Sequence, residues 1–572
     1  MSLRVLKSAE FRAALGFSIA LVVFEALTLH LAYVPYLLYP TVVPRRMIVS
    51  CGLILVGYGL TTMYVWASLT ATRRIRAVYF AVFALAVFLE YGYRNALGGF
   101  ATADDLMVAF WGAVTPLKRG VAESYVSWLA LVPSVGYVVL LANVRSTPRT
   151  RVPTLAVVLA ALFALNVPVF LFVSDPSFRQ YRGYPTTSLA GFFRSWTEVG
   201  VWRWRLAVQG PREAVSHEAV PPPANNIVLV IDESVRGDHL SLNGYDRATT
   251  PALDELRREG LLTNWGIAVA GANCSAASNR LLWVGWPSAD LPAQNREIWT
   301  WPSIAQYAKA MGYRTHYFDG HPWNWLVDSV DLREFDRWLA RESFRGTSDK
   351  DVDFAIADRV TEIVDASVGN FIWINKAGIH APYDLVYERH DAIWTPIASE
   401  YFHPRKENVA ALVNSYDNAI RYNVDGFFGR LDINNRRPGT VFLYTSDHGQ
   451  SLSEQGESWT HCSDLRGGDL KRDREAIVPL FMIVAGQKLQ DAARAFNRAA
   501  HANIFATVLD LMSVPASARR HRYWPSLLPP NRFEFRERYY FMSDAIEGQS
   551  PFGALARFDE PPEQSNVLPA SR

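Results

Sequence analysis

The fold class this 572-residue sequence predicts is an α-helical membrane domain of five transmembrane helices followed by an α/β soluble domain with a mainly parallel sheet. Three observations carry that expectation. Long apolar segments crowd the chain before residue 176. Beyond residue 226, short β-branched runs alternate with amphipathic helical stretches, the pattern of parallel strands joined by helical crossovers. One such run, Thr440–Thr445, ends abruptly in Asp447-His448-Gly449. Open α/β sheets bind their ligands just beyond the carboxyl ends of strands.

The membrane third contains the apolar segments Phe11–Leu38, Met47–Leu69, Val78–Tyr93, Ser127–Leu141 and Val152–Val173. A spanning helix needs about 20 mainly apolar residues. The third and fourth segments are short and draw on flanking aromatics. The first is too long, and followed by too many others, for a cleaved signal peptide. One side of this array carries Arg4, Lys7, Arg12, Arg73, Arg74, Arg76, Arg145, Arg149 and Arg151. The other carries Arg45, Arg46, Arg94, Lys118 and Arg119. The richer side is cytoplasmic, which puts the N-terminus inside and everything after Ser174 outside, in the periplasm of a bacterium with two membranes. Glu25 and His30 lie within the first segment. Ionisable residues at that depth face the protein interior, so they line a lipid head-group path or sit wetted at the segment's outer end.

Residues 176–225 read as an interfacial helix and linker. Gly191–Gln209 interleaves tryptophan with arginine, which suits a helix in the membrane interface or one packed on the soluble domain. Pro211–Asn225 contains three consecutive prolines and no periodicity. The soluble domain then occupies 226–572. Its expected strands are Asn226–Asp232, Tyr313–Phe318, Asn370–Asn375, Thr440–Thr445 and Val478–Val484. Its expected helices are Thr250–Glu259, Ser303–Met311 and a long amphipathic Glu407–Leu431.

Composition excludes several classes. The net charge of +2 gives no reason to expect nucleic acid as a partner. Three cysteines, Cys51, Cys274 and Cys462, make no disulfide framework and no CxxC zinc knuckle. Chemistry-bearing residues instead cluster at strand ends: Asp232-Glu233-Ser234, the stretch Gly271–Ser278 at a helix start, Gly378-Ile379-His380-Ala381-Pro382, and Asp447-His448 with His461 downstream. A carboxylate, a hydroxyl, a second carboxylate and an imidazole suit one Zn²⁺. Zinc on a serine oxygen lowers its pKa and makes it a nucleophile at neutral pH. A helix N-terminus favours an anion beside it, and the combination fits phosphoryl transfer.

These motifs resemble the phosphoethanolamine transferases of the alkaline phosphatase/sulfatase superfamily, the enzymes that decorate lipid A, including the transferable polymyxin-resistance forms. The resemblance rests on Glu233-Ser234-Val235-Arg236, Asp238–Tyr245, Thr249-Thr250-Pro251, Ser415–Ile420, and Tyr444–Gly449 with Ser451-Leu452, together with the five-helix anchor. It implies an alkaline phosphatase-like fold and one or two zinc ions. Glu233, Ser275, Asp447 and His448 match the metal ligands, Ser275 stands where the family has its threonine nucleophile, and His380 and His461 match histidines that bind phosphate or act as acid and base. It also implies phosphatidylethanolamine as donor, lipid A, a core sugar or another envelope glycan as acceptor, and a multi-pass protein of the bacterial inner membrane with a periplasmic catalytic domain. Phosphoglycerol transfer or a sulfatase-like hydrolysis on the same scaffold is the alternative, although Ser275–Ser278 lacks the proline and arginine of a sulfatase nucleophile motif.

Other roles remain open at this level. Ser275 could serve as a helix N-cap, Ser278 as the nucleophile, and Asp232 as the ligand in place of Glu233, while His239 reads as structural. The family's Cys-Lys-Gly-Val stretch is replaced by Asp319–Trp325, with His321 or Asn324 as the substitute for its phosphate-holding lysine. Cys274 and Cys462 each adjoin a candidate site residue and are a candidate disulfide.

Overall fold

The computed structural model describes residues 8–30, 44–97, 127–144, 188–189, 191–193, 212–215, 225–290, 300–321, 330–344, 346–398, 408–454, 473–489, 495–529, 536–542 and 554–558. In the membrane third these form helices α1 (Ala9–Glu25), α2 (Pro44–Leu69), α3 (Arg73–Leu97) and α4 (Leu131–Asn143). Ser8 caps α1 by accepting from the Phe11 amide, and a π-helical turn, Ala26–His30, extends it. Phe17, Phe83 and Tyr137 pack where α1, α3 and α4 meet, with ring centroids 4.6–5.9 Å apart. Leu15, Ile19, Val23, Val78, Leu85, Val135 and Val139 point outward and are exposed. Aromatic rings thus fill the space between these helices while aliphatic side chains and Trp128 face outward. Among the described residues, two helices, Ala9–Thr28 and Arg73–Gly92, are long and apolar enough to cross a membrane. The expected fifth segment, Val152–Val173, lies outside the described residues.

Glu25 is fully buried. The Ser188 hydroxyl and amide donate to its Oε1 at 2.6 and 3.2 Å, and the Tyr58 hydroxyl donates to Oε2 at 3.1 Å. Those bonds make it a tie between α1, α2 and the segment that follows the membrane helices, rather than a wetted residue. Leu189 and Phe192 are buried in the same cluster. The described start of the Gly191–Gln209 stretch therefore packs on the membrane helices.

The soluble domain is built on a seven-stranded sheet of order β2-β7-β6-β1-β5-β3-β4. Its strands are β1 (Ile227–Asp232), β2 (Leu262–Val269), β3 (Arg314–Asp319), β4 (Arg337–Leu339), β5 (Asn370–Asn375), β6 (Val441–Ser446) and β7 (Ile477–Val484). β1, β3, β4, β5 and β6 run parallel; β7 is reversed, and β2 pairs antiparallel with β7. The sheet is thus mixed through one strand. β1, β5 and β6 are buried along their whole length, as continuous apolar runs in a doubly covered sheet must be.

Alternation along β1 splits the core. Ile227, Leu229 and Ile231 face one layer with Trp265, Trp283, Trp286, Trp301 and Trp373, under α6 (Ser275–Val284), α7 (Ile304–Ala310) and α11 (His501–Leu511). Val228 and Val230 face the other, under α5 (Pro251–Arg258), α8 (Val352–Ala366), α9 (Val409–Ala419) and α10 (Gly426–Leu431). Each fully buried Val, Leu or Ile contributes roughly 1.5–3 kcal/mol. The expected long helix Glu407–Leu431 is interrupted: six residues, Ile420–Asp425, form a π-helix between α9 and α10. A small hairpin, β8 (Tyr539–Met542) with β9 (Ala554–Arg557), completes the described fold.

Register places the site. Asp232 pairs with Ser446, Ile231 with Asn375, and Asp319 with Asn375. The carboxyl ends of β1, β3, β5 and β6 therefore finish level, on one edge of the sheet.

Candidate metal centre

At that edge β1 and β6 run out into Glu233 and Asp447-His448. Ligand atoms of Glu233, Asp447 and His448 all lie within 4.8 Å of one another, and all three residues are buried. Ser275, the first residue of α6, comes from across the sheet. Its Oγ donates to Glu233 Oε2 at 3.1 Å and lies 3.1 Å from His448 Nε2. His448 Nε2 lies 3.5 Å from Glu233 Oε1 and 3.5 Å from Asp447 Oδ2. Ligands held about 2.0–2.1 Å from a tetrahedral zinc stand about 3.3 Å from each other. The four contacts of 3.1–3.5 Å lie near that figure, with Ser275 on one Glu233 oxygen and His448 on the other.

The donor chemistry fits as well. His448 Nδ1 donates to the Gly449 carbonyl at 2.7 Å, which leaves Nε2 as the ligating atom. Burial and the neighbouring Glu233 push Asp447 up to about 7. Burial also opposes ionisation of Glu233, but the His321 hydrogen bond and the His448, His380 and His321 imidazoles hold it well below the usual carboxylate range. Two carboxylates this close do not both ionise easily unless a positive charge stands beside them.

Two backbone features aim these groups. Ser234 adopts φ 62°, a conformation that strains a non-glycine residue. Three bonds hold it there: its amide donates to Asp447 Oδ1 at 3.1 Å, its hydroxyl donates to Glu233 Oε1 at 2.6 Å, and its carbonyl accepts from the Tyr416 hydroxyl at 2.6 Å. Gly378, at φ 59°, passes so close that a Cβ would meet Glu233 N and Cβ at 2.7 Å.

The alternatives left open by the sequence resolve against the geometry. Cys274, not Ser275, occupies the N-cap position of α6. Ser278 is wholly buried; its hydroxyl donates to the Asp447 carbonyl at 2.5 Å and lies 3.1 Å from His501 Nδ1. It therefore braces the Asp447-His448 loop instead of facing the site. Asp232 is engaged below Glu233: Lys376 Nζ donates to its Oδ2 at 2.5 Å, Tyr444 donates to the same oxygen at 2.8 Å, and the Glu233 amide donates to Oδ1 at 2.9 Å. His239 is structural, with Nδ1 2.7 Å from Asp417 Oδ1 and its ring packed on Tyr245.

His380 follows Ile379, whose amide donates to the Glu233 carbonyl at 3.3 Å. It is half-buried, and its Nδ1 donates to the Ala381 carbonyl at 2.8 Å. Cys274 is disulfide-bonded. His461, Cys462 and Asn324 lie outside the described residues.

The chain matches the Sulfatase family over residues 225–514, just over half of its length. It is 23% identical over 436 residues to the Kdo(2)-lipid A phosphoethanolamine 7''-transferase of Escherichia coli K12, spanning 70% of this chain and 72% of that one. It is 24% identical to the E. coli phosphatidylethanolamine transferase Mcr-1 over 40% of this chain and 43% of the relative. The integral membrane lipooligosaccharide phosphoethanolamine transferase A of Neisseria meningitidis superposes with a TM-score of 0.60 at 16% identity, covering 87% of this chain and 95% of that one. That likeness shows the fold: a membrane domain joined to an alkaline phosphatase-like α/β domain with a mixed sheet. With the matched segment running from β1 to the end of α11, the chain belongs to the sulfatase family.

Proposed function

We propose that this protein moves phosphoethanolamine from phosphatidylethanolamine to an envelope acceptor through a covalent adduct on Ser275. The observation that carries the reading is the position of the Ser275 hydroxyl, 3.1 Å from both Glu233 Oε2 and His448 Nε2. Glu233, Ser275, Asp447 and His448 are the proposed ligands of one zinc ion. Zinc bound there supplies a lowered hydroxyl pKa and a positive charge beside the phosphoryl oxygens.

The chain's own residues do the rest. Ser275 Oγ, its proton released to solvent beforehand, bonds to the phosphorus of the donor lipid as the alkoxide, and the bond from phosphorus to the diacylglycerol oxygen breaks. His380 or His461 gives that oxygen its proton. An acceptor hydroxyl or phosphate oxygen then bonds to the same phosphorus, its proton returns to the histidine, and Ser275 Oγ leaves. The positive end of α6 favours the anion at its first residue. His380 stands in the loop that bonds Glu233, within reach of an electrostatic effect on that carboxylate.

The outward aliphatic face of α1, α3 and α4 supports a lipid donor, since a site that draws its substrate from a bilayer needs an anchor in it. The proposed organisation is five membrane helices within 1–175, a junction over 176–225 and a catalytic domain over 226–572. The N-terminus is cytoplasmic and the catalytic domain faces the periplasm. Acceptors in reach there are lipid A, as the name of the E. coli relative suggests, a core sugar or another envelope glycan.

The test is purified full-length protein in vesicles carrying head-group-labelled phosphatidylethanolamine or phosphatidylglycerol. The reading expects label on the peptide holding Ser275 with the first lipid only. Label from phosphatidylglycerol instead would make the chain a phosphoglycerol transferase. Label from neither, in a zinc-loaded protein, would overturn the reading.

A further inference from the structure

A second group of polar side chains abuts Glu233 from β3, and the proposed mechanism leaves it without a task. β3 ends in Asp319-Gly320-His321. His321 is 6% exposed; its Nε2 lies 3.4 Å from Glu233 Oε2 and its Nδ1 lies 3.1 Å from Asp319 Oδ1.

The support beneath it is complete. Asp319 Oδ1 also accepts from the His321 amide at 3.0 Å and from Asn375 Nδ2 at 3.2 Å, and its Oδ2 accepts from the Tyr317 hydroxyl at 3.1 Å. Gly320 makes the turn back possible: its amide donates to the Asn375 carbonyl at 2.8 Å, and a Cβ there would meet Ala377 N at 2.7 Å and Asp353 Oδ1 at 2.8 Å.

We propose that His321, oriented by Asp319, is a positioning residue that fixes the Glu233 carboxylate for metal binding. This rests on the reading that Glu233 is a metal ligand. Each Glu233 oxygen then has a supporting donor, the Ser234 hydroxyl on Oε1 and His321 on Oε2. Oε1 is the oxygen at the His448 edge and Oε2 the one at the Ser275 edge. Without His321 the carboxylate can rotate about its last bond, and Oε2 moves away from Ser275. Asp319 acts on the metal only through His321, as a carboxylate behind a histidine does in many metal sites.

The experiment measures zinc affinity of the full-length protein by competition with a chromogenic chelator, and thermal unfolding of the same samples in EDTA. Loss of a supporting partner in such a shell costs about 10–100-fold in metal affinity. His321→Ala is expected to weaken zinc binding by about that factor. His321→Gln, which keeps an N–H of similar reach, recovers most of it. Asp319→Asn weakens binding less, and adds nothing in combination with His321→Ala.

A merely structural His321 would lower the unfolding temperature in EDTA and leave the affinity where it was. Zinc affinities of His321→Ala and Asp319→Asn both within twofold of the parent would overturn the inference. Should His321→Ala fail to fold, Asp319→Asn and His321→Gln decide by the same criterion. A parent protein without tight zinc, or a Glu233→Gln variant that binds as tightly as the parent, would instead refute the metal assignment itself, and this inference with it.

Discussion

Replacing Ser275 with alanine removes the hydroxyl that both carboxylate and imidazole reach, and the structure sets what should follow. Two hydrogen bonds are lost, to Glu233 Oε2 and His448 Nε2, each worth about 1 kcal/mol net. Alanine is a good residue within a helix start, and Cys274 keeps the N-cap position. The net cost is therefore about 1–2 kcal/mol, a fall of a few degrees in Tm for a domain of this size. The chemical cost is of a different order. Ser278 cannot stand in, because its hydroxyl is bonded to the Asp447 carbonyl and is fully buried. Loss of a covalent nucleophile with no substitute lowers turnover by roughly 10³–10⁶-fold. The assay is head-group transfer in phosphatidylethanolamine vesicles, with intact mass spectrometry for the adduct and thermal unfolding as the control for folding. A folded Ser275→Ala protein retaining a tenth of the parental rate, or still forming an adduct, would refute the assignment.

Other consequences follow from the surroundings of the site. Lys376→Met leaves Asp232 buried without the cation 2.5 Å away, and breaking such a pair costs about 3–5 kcal/mol; chemical denaturation should show it, and Asp232→Asn in the same chain should restore part. Gly378→Ala places a methyl 2.7 Å from Glu233 at φ 59°, so both Tm and zinc affinity should fall, the strain alone costing about 1–3 kcal/mol. Asp447, pushed up to about 7, holds a proton in the metal-free protein below that pH. Zinc must expel it, together with the proton that Asp447 and Glu233 favour on His448, so affinity measured by chelator competition should rise by at least about one decade per pH unit below pH 7. The sign for stability is opposite. The folded metal-free protein holds this proton between the unfolded carboxyl pKa of about 3.9 and its own value near 7, so its Tm in EDTA should fall as pH rises through that window.

Much of this organisation is written locally in the chain. Asn370–Asn375 is a strand with the expected bounds, the one expected at Asn226–Asp232 starts one residue later, and the one expected at Thr440–Thr445 is shifted by one residue at both ends. Their unbroken β-branched and aromatic runs permit little else. β2 was not legible because Asn264 and Gly266 interrupt its apolar pattern; Gly266, at φ 74°, sits where the register with β7 shifts. β4 has only three residues and no periodicity to read. The π-helix at Ile420–Asp425 leaves no mark in a helical pattern because it shifts the backbone, not the composition. Its Asn423 bonds Lys376, and its Asp425 caps the Ala252 and Leu253 amides of α5.

In the site, Glu233, Ser275, Asp447 and His448 were legible through their motifs, and the structure brings all four together. The strained Ser234, the Lys376 beneath Asp232 and the approach of His321 to Glu233 were not. Each depends on which side chain faces it from another strand, and that is fixed by sheet register rather than by neighbours in sequence.

Residues just past β1 and β6 and the first residue of α6 are proposed to share one ion. Anomalous diffraction at the zinc edge, from crystals of the zinc-loaded protein, tests it most directly. The account predicts a peak about 2.0–2.2 Å from Glu233, Ser275 Oγ, Asp447 and His448 Nε2. A peak bonded elsewhere, or one from which the Ser275 oxygen is absent, would contradict it.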